Sequence, residues 1–131
     1  MSLNSLTITG NLTENPVLRR TGDNTPVCNF TVAVTHREFR GGQWRDTAPV
    51  FKDVVVWRDK ALNAAESLKG GMRVTVTGRE KDASYTPRGS DTVRRAVVLE
   101  ADDVAMSLTY GTAVFTRADR RAERPAPAPV G

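Results

Sequence analysis

The chain has 131 residues, 39% apolar and 26% charged, enough for one modest core and too few for two independent ones. Nineteen Lys and Arg against fifteen Asp and Glu leave a net charge of +4, an excess that arginine carries, fifteen to four lysines. No stretch approaches the ~18 apolar residues of a membrane span, the first residues lack the basic and apolar parts of a signal peptide, and one cysteine with one histidine predicts neither an internal disulfide nor a zinc site.

Residues 6–13 alternate, with Leu6, Ile8, Gly10 and Leu12 on one face and Thr7, Thr9, Asn11 and Thr13 on the other. That period of two predicts a half-buried strand, ended by Asn15-Pro16. Residues 21–26 are a dense turn signal. A second strand sets Cys28, Phe30, Val32 and Val34 against Asn29, Thr31 and Ala33, which makes Cys28 a small core residue. Between Arg37 and Pro49 the apolar rhythm stops, and Gly41-Gly42 predicts a long hairpin loop. The β-branched and aromatic run from Val50 to Trp57 predicts a third, central strand. Ala61, Leu62, Ala65 and Leu68 then form one helical stripe, with Asp59 as N-cap and Gly70-Gly71 as stop. A fourth strand points Met72, Val74, Val76 and Gly78 inward and Arg73, Thr75, Thr77, Arg79 and Lys81 outward. After a turn at 86–91, a fifth strand is expected over 92–100, with Asp102-Asp103 near its end. Residues 110–115 are a candidate for one more short strand.

Three strands, one short helix and two more strands is the order of a five-stranded OB barrel. An irregular α+β sandwich has the same count, but the long hairpin loops favour the barrel. The expected class is therefore all-β, an OB fold with its helix between strands three and four and an extra C-terminal strand. The domain spans 1–108, the extra strand 109–116, and a disordered Arg/Ala/Pro tail 117–131. The tail holds four Arg against Asp119 and Glu123, so body and tail each keep two net positive charges. Any case for nucleic acid must rest on where the cations sit.

Catalysis finds little support. There is no Gly-x-Ser-x-Gly elbow, His36 would have to serve every base role, and no glycine pair has the spacing and lysine of a phosphate loop. Glu100, Asp102 and Asp103 could hold a metal in a nuclease, but read better as a solvated strand end. No enzyme, cofactor or metal is expected. What remains is aromatics interleaved with cations. The long loop holds Arg37, Phe39, Arg40, Trp44 and Arg45; the third strand offers Phe51 and Trp57, followed by Arg58 and Lys60. The fourth strand and its hairpin add Arg73, Arg79, Lys81, Tyr85 and Arg88, and Arg94-Arg95 open the fifth. Single-stranded nucleic acid needs that mixture: bases stack on flat rings for about 1–3 kcal/mol each while guanidinium groups track phosphates, with little regard to sequence. Phe39 and Trp44 lie in a polar loop where burial is hard to arrange. Phe51 and Trp57 suit core packing as well, although parity with Asp53 turns Phe51 toward the surface. Tyr85 stands open between the two readings, and each arginine alone reads as solvated surface.

Over about residues 4–115 the chain resembles the bacterial single-stranded DNA-binding protein family. The segments that carry this are Leu6-Thr7-Ile8-Thr9-Gly10-Asn11-Leu12 with Pro16, Asn29-Phe30-Thr31-Val32-Ala33-Val34, Val54-Val55-Val56-Trp57-Arg58, the helix to Leu68-Lys69-Gly70, and Val74-Thr75-Val76-Thr77-Gly78-Arg79. The resemblance implies an OB fold that forms a homotetramer and wraps single-stranded DNA, in the cytoplasm at the nucleoid. It places the family's base-stacking aromatics at or near Phe39, at Phe51, at Trp57 and at Tyr85. Two of these positions carry Phe or Tyr where many members have Trp, which should weaken stacking. It also likens the segment after Leu108 to a strand with which some members clamp neighbouring subunits. Members usually end in an acidic tip that recruits replication and repair proteins. This sequence closes on Pro129-Val130-Gly131 instead, so recruitment by such a tip is not expected. A protein-interaction OB module of primosome type and an RNA-binding module are the alternatives.

Overall fold

The computed structural model describes residues 5–94 and 96–118. Eight strands and one helix run in the order β1 (Ser5–Leu12), β2 (Val17–Arg20), β3 (Pro26–Val34), β4 (Arg37–Arg40), β5 (Gln43–Asp46), β6 (Val50–Trp57), α1 (Asp59–Ser67), β7 (Arg73–Asp82) and β8 (Val97–Met106). Five of them close a barrel in the order β1-β7-β8-β6-β3, with β3 returning to β1, while β2 is bonded outside it on β3. This is an OB fold, with α1 between its third and fourth barrel strands.

Closure depends on β1 serving two partners. It pairs with β7 from Ser5↔Arg79 to Asn11↔Arg73, and its last residues, Asn11 and Leu12, also pair with Ala33 and Val32 of β3. The strand must bend where the partners change, and Gly10 sits there with the Ala33 carbonyl where a Cβ would stand. Gly78 has the same relation to the Glu100 carbonyl. Beside it Thr77 faces Asp103 and Gly78 faces Ala101, so Asp102 is the extra residue of a bulge that curves β8. β8 then meets β6 in parallel at Val54↔Leu99 and Val55↔Glu100.

The alternation read from the sequence carries through to the core. Ile8, Leu12, Cys28, Phe30, Val32, Val34, Val54, Val56, Val74 and Val76 are buried together, and Ala61, Ala64 and Leu68 seat the helix on them. β-branched valines suit such a curved, two-faced surface. Cys28 is fully buried, as its parity predicts, and desolvation raises its thiol pKa.

Several expectations are corrected. Arg58, not Asp59, is the helix N-cap and makes no side-chain capping bond; Asp59 is the first helical residue. The last strand is Val97–Met106 rather than 92–100, so Asp102 and Asp103 lie inside it. The 37–49 loop is itself a hairpin, β4–β5, turned by Gly41 and Gly42 at φ of 58° and 78°, as a tight right-twisted turn requires. In the single chain residues 107–118 form no strand, and the strand outside the barrel is β2. Arg95 and the greater part of the expected tail, from residue 119, lie outside the described residues. No described helix is long and apolar enough to cross a membrane.

Candidate nucleic-acid interface

In a ring ordered β1-β7-β8-β6-β3, β7 stands opposite the β6–β3 pair, so outward side chains of β7 and of β3–β6 point away from each other. The expected cations and aromatics therefore divide between two surfaces.

The β3–β6 surface carries the rings. Residues paired across antiparallel strands share a face, which sets Phe51 beside Ala33, Asp53 beside Thr31 and Trp57 beside Val27. Phe51 is 61% and Trp57 38% exposed, while Val54 and Val56 on the other parity are buried. The two rings stand about 20 Å apart along the strand. Between them the Thr31 hydroxyl donates to Asp53 at 2.8 Å. That carboxylate repels phosphate from the middle of the stripe, so bases rather than backbone are what this surface can take. β2 widens it: Arg19 lies in one row with Val27 and Trp57, and its Nε donates to Asn29 Oδ1 at 3.2 Å. The sequence reading missed Arg19, because a four-residue strand exposed throughout has no alternation to detect.

The β4–β5 hairpin projects from the end of β3, tied at its base by Thr47 N–H to the His36 carbonyl at 2.7 Å. Its pairing places Arg37, Phe39, Trp44 and Asp46 on one face and Glu38, Arg40, Gln43 and Arg45 on the other. Phe39 and Trp44 meet edge to face, centroids 5.4 Å apart, and the Arg37 guanidinium lies 5.8 Å from the indole centre. Both rings are well exposed. Arg37 also pairs with Asp46 at 3.8 Å and Arg40 with Glu38 at 2.9 Å, exposed contacts that a phosphate can exchange at small cost.

Tyr85 is 58% exposed and held by its backbone, which exchanges both hydrogen bonds with Arg94 beyond the end of β7. Arg88 lies at the exposed tip between them, where Gly89 takes a φ of 80°.

The β7 surface differs. Arg79 pairs with Asp102 at 3.4 Å and Lys81 with Glu100 at 3.6 Å. The hydroxyls of Thr7 and Thr77, and of Thr9 and Thr75, bond across β1–β7, and Arg73 lies 5.9 Å from the Tyr110 ring centre. Arg73 and Arg79 are thus not brought beside Phe51 and Trp57, whereas Lys81 is held by Glu100 at the edge of the cleft that Trp57 lines. Glu100 and Asp102 are engaged by cations, and no group of metal-binding side chains occurs among the described residues. One shifted carboxylate also lies off the stripe: Asp23, in the β2–β3 turn, is held below the usual range, first by the Thr21 hydroxyl and then by Thr25.

At the end of β6, Trp57, Arg58, Asp59 and Lys60 face Glu100 and Ala101 across an open cleft of about 350 Å³. Arg58, Arg88 and Arg94 enter none of the ion pairs above.

Known proteins resemble the chain over the whole barrel. The chain is 43% identical over 118 residues to the single-stranded DNA-binding protein of Mycolicibacterium smegmatis, covering 88% of this chain and 71% of that one. It is 39% identical over 127 residues to single-stranded DNA-binding protein 1 of Tropheryma whipplei, covering 95% and 68%. The small single-stranded DNA-binding protein of Streptomyces coelicolor superposes with a TM-score of 0.70 at 30% identity, over 85% of this chain and all of that one. The profile described as "Single-strand binding protein family" matches residues 3–107, the whole barrel with its helix, and to that family the chain belongs.

Proposed function

We propose that this protein coats single-stranded DNA without sequence preference and without enzymatic activity, in keeping with a family of non-enzymatic DNA-binding proteins. Bases stack on Phe51, Trp57, Tyr85 and the Phe39–Trp44 face of the hairpin; phosphates are taken by Arg58, Arg88, Arg94 and the hairpin arginines. The observation that carries this reading is the exposure of Phe51 and Trp57 on β6 together with the Phe39–Trp44 pair on the hairpin that follows β3, a grouping of flat rings that suits stacked bases. Coating in support of replication, recombination or repair, at the nucleoid, is the role that fits.

The assembly proposed is a homotetramer. Leu108, Tyr110, Val114 and Phe115 are exposed in the single chain, and residues 109–116 supply an apolar segment that a neighbouring subunit would cover. Arg73 and Arg79, on the far side of the barrel from Phe51, belong to subunit contact in this arrangement rather than to the DNA path.

Fluorescein-labelled oligo-dT, followed by anisotropy with unlabelled oligo-dT, oligo-U and duplex as competitors, tests the reading. Oligo-dT should compete at concentrations far below duplex, and affinity should fall with salt at a log–log slope of about −0.7 per phosphate neutralised. Duplex competing equally, or oligo-U competing far better than oligo-dT, would replace it with a general polyanion-binding or an RNA-binding protein.

A further inference from the structure

Arg58 has a φ of 63° and a ψ of −135°, a backbone state that belongs to glycine and is costly for any residue with a Cβ. Three backbone hydrogen bonds impose it. Its N–H donates to the Pro26 carbonyl at 2.9 Å, and its own carbonyl accepts from Ala61 at 2.9 Å and Leu62 at 3.2 Å. The strand-to-helix corner thus needs this geometry, and the residue with the least strain there is glycine. Yet the side chain present is long, cationic and exposed, and it neither caps the helix nor enters the ion pairs of the barrel.

Its neighbours say what it faces. Trp57 precedes it on the stacking surface, and both line the cleft with Lys60. Of the two carboxylates there, Glu100 is paired with Lys81, which reduces its repulsion of an incoming anion. Strained residues persist where function holds them.

We infer that Arg58 is kept at the expense of stability as the phosphate contact of the nucleotide whose base stacks on Trp57, a two-residue unit of ring and guanidinium at the β6–α1 corner. The inference rests on the single-strand reading above and narrows it to one residue.

Arg58→Gly separates it from a structural role, because the two readouts move in opposite directions. The variant should fold and melt about 2–5 °C higher than the parent, through relief of the strained φ. Its affinity for oligo-dT should fall about five- to tenfold, with the salt slope shallower by about 0.7 for each subunit engaged. Arg58→Lys, which keeps both charge and strain, should melt with the parent and retain most of the affinity. An Arg58→Gly protein with parental affinity and salt slope overturns the proposal, as does one that melts lower. If the parent itself fails to bind oligo-dT, it is the single-strand reading that falls.

Discussion

Phe51→Ala weakens binding to oligo-dT by about one to two orders of magnitude while leaving the melting temperature within a degree or two of the parent. The ring is 61% exposed and outside the core cluster, so its removal opens no cavity. What is lost is a stacking platform, worth about 1–3 kcal/mol per base, which is about 5- to 150-fold in affinity. Trp57→Ala should cost affinity on the same scale but also lower stability, because the indole is only 38% exposed and covers the fully buried Val27 across the strand pair. Phe51→Tyr keeps a flat ring and should bind with little loss. Calorimetric titration with oligo-dT beside thermal melts reads both quantities. A Phe51→Ala protein that binds as the parent does would place the DNA elsewhere on the barrel.

The second large effect concerns the fold. Gly10→Ala should lower the stability of the domain by about 3 kcal/mol or more, a large share of the 5–15 kcal/mol of a typical domain. The added Cβ meets the backbone carbonyl of Ala33 and comes within 2.9 Å of Val32 Cγ1, at the point where β1 closes the barrel on β3. The Ala33 backbone cannot yield as the end of a flexible side chain can. Gly78→Ala should behave likewise against Glu100. Gly22→Ala is the control, since no atom lies within 4 Å of a Cβ at that turn, and it should melt with the parent. Urea unfolding followed by circular dichroism gives the midpoints, and equal midpoints for Gly10→Ala and Gly22→Ala would contradict this account of closure.

Much of the barrel was legible because the central strands bury one parity throughout, while the other is buried only in places, as at Val27 and Val55. Val32, Val34, Val54, Val56, Val74 and Val76 announce their strands by parity, and the same parity turned Phe51 outward. The helix followed from its apolar spacing. What escaped was structure without a buried face. β2, β4 and β5 are exposed at every residue, so their pairing leaves no hydrophobic period, and the sequence predicts a long hairpin loop at 37–49 without its two strands. The register of β8 slipped for a related reason: its bulge at Asp102 breaks the alternation that would have located its end. The site was legible as a set of residue types, not as a surface. Arg73, Arg79 and Lys81 have the composition of a phosphate path, but strand order turns Arg73 and Arg79 away from Phe51, and acids on β8 meet Arg79 and Lys81. Helix capping failed at Asp59 because Arg58, one residue earlier, already occupies the corner that precedes the first turn.

The chain has two tryptophans, which allows the β3–β6 surface to be observed alone. In a Trp44→Phe background all indole emission comes from Trp57. Titration with oligo-dT at low salt should quench that emission to a plateau, and added salt should restore it. Emission from Trp57 that stays unchanged while the same sample retains oligo-dT in a filter-binding assay would show that the strand does not run over this surface.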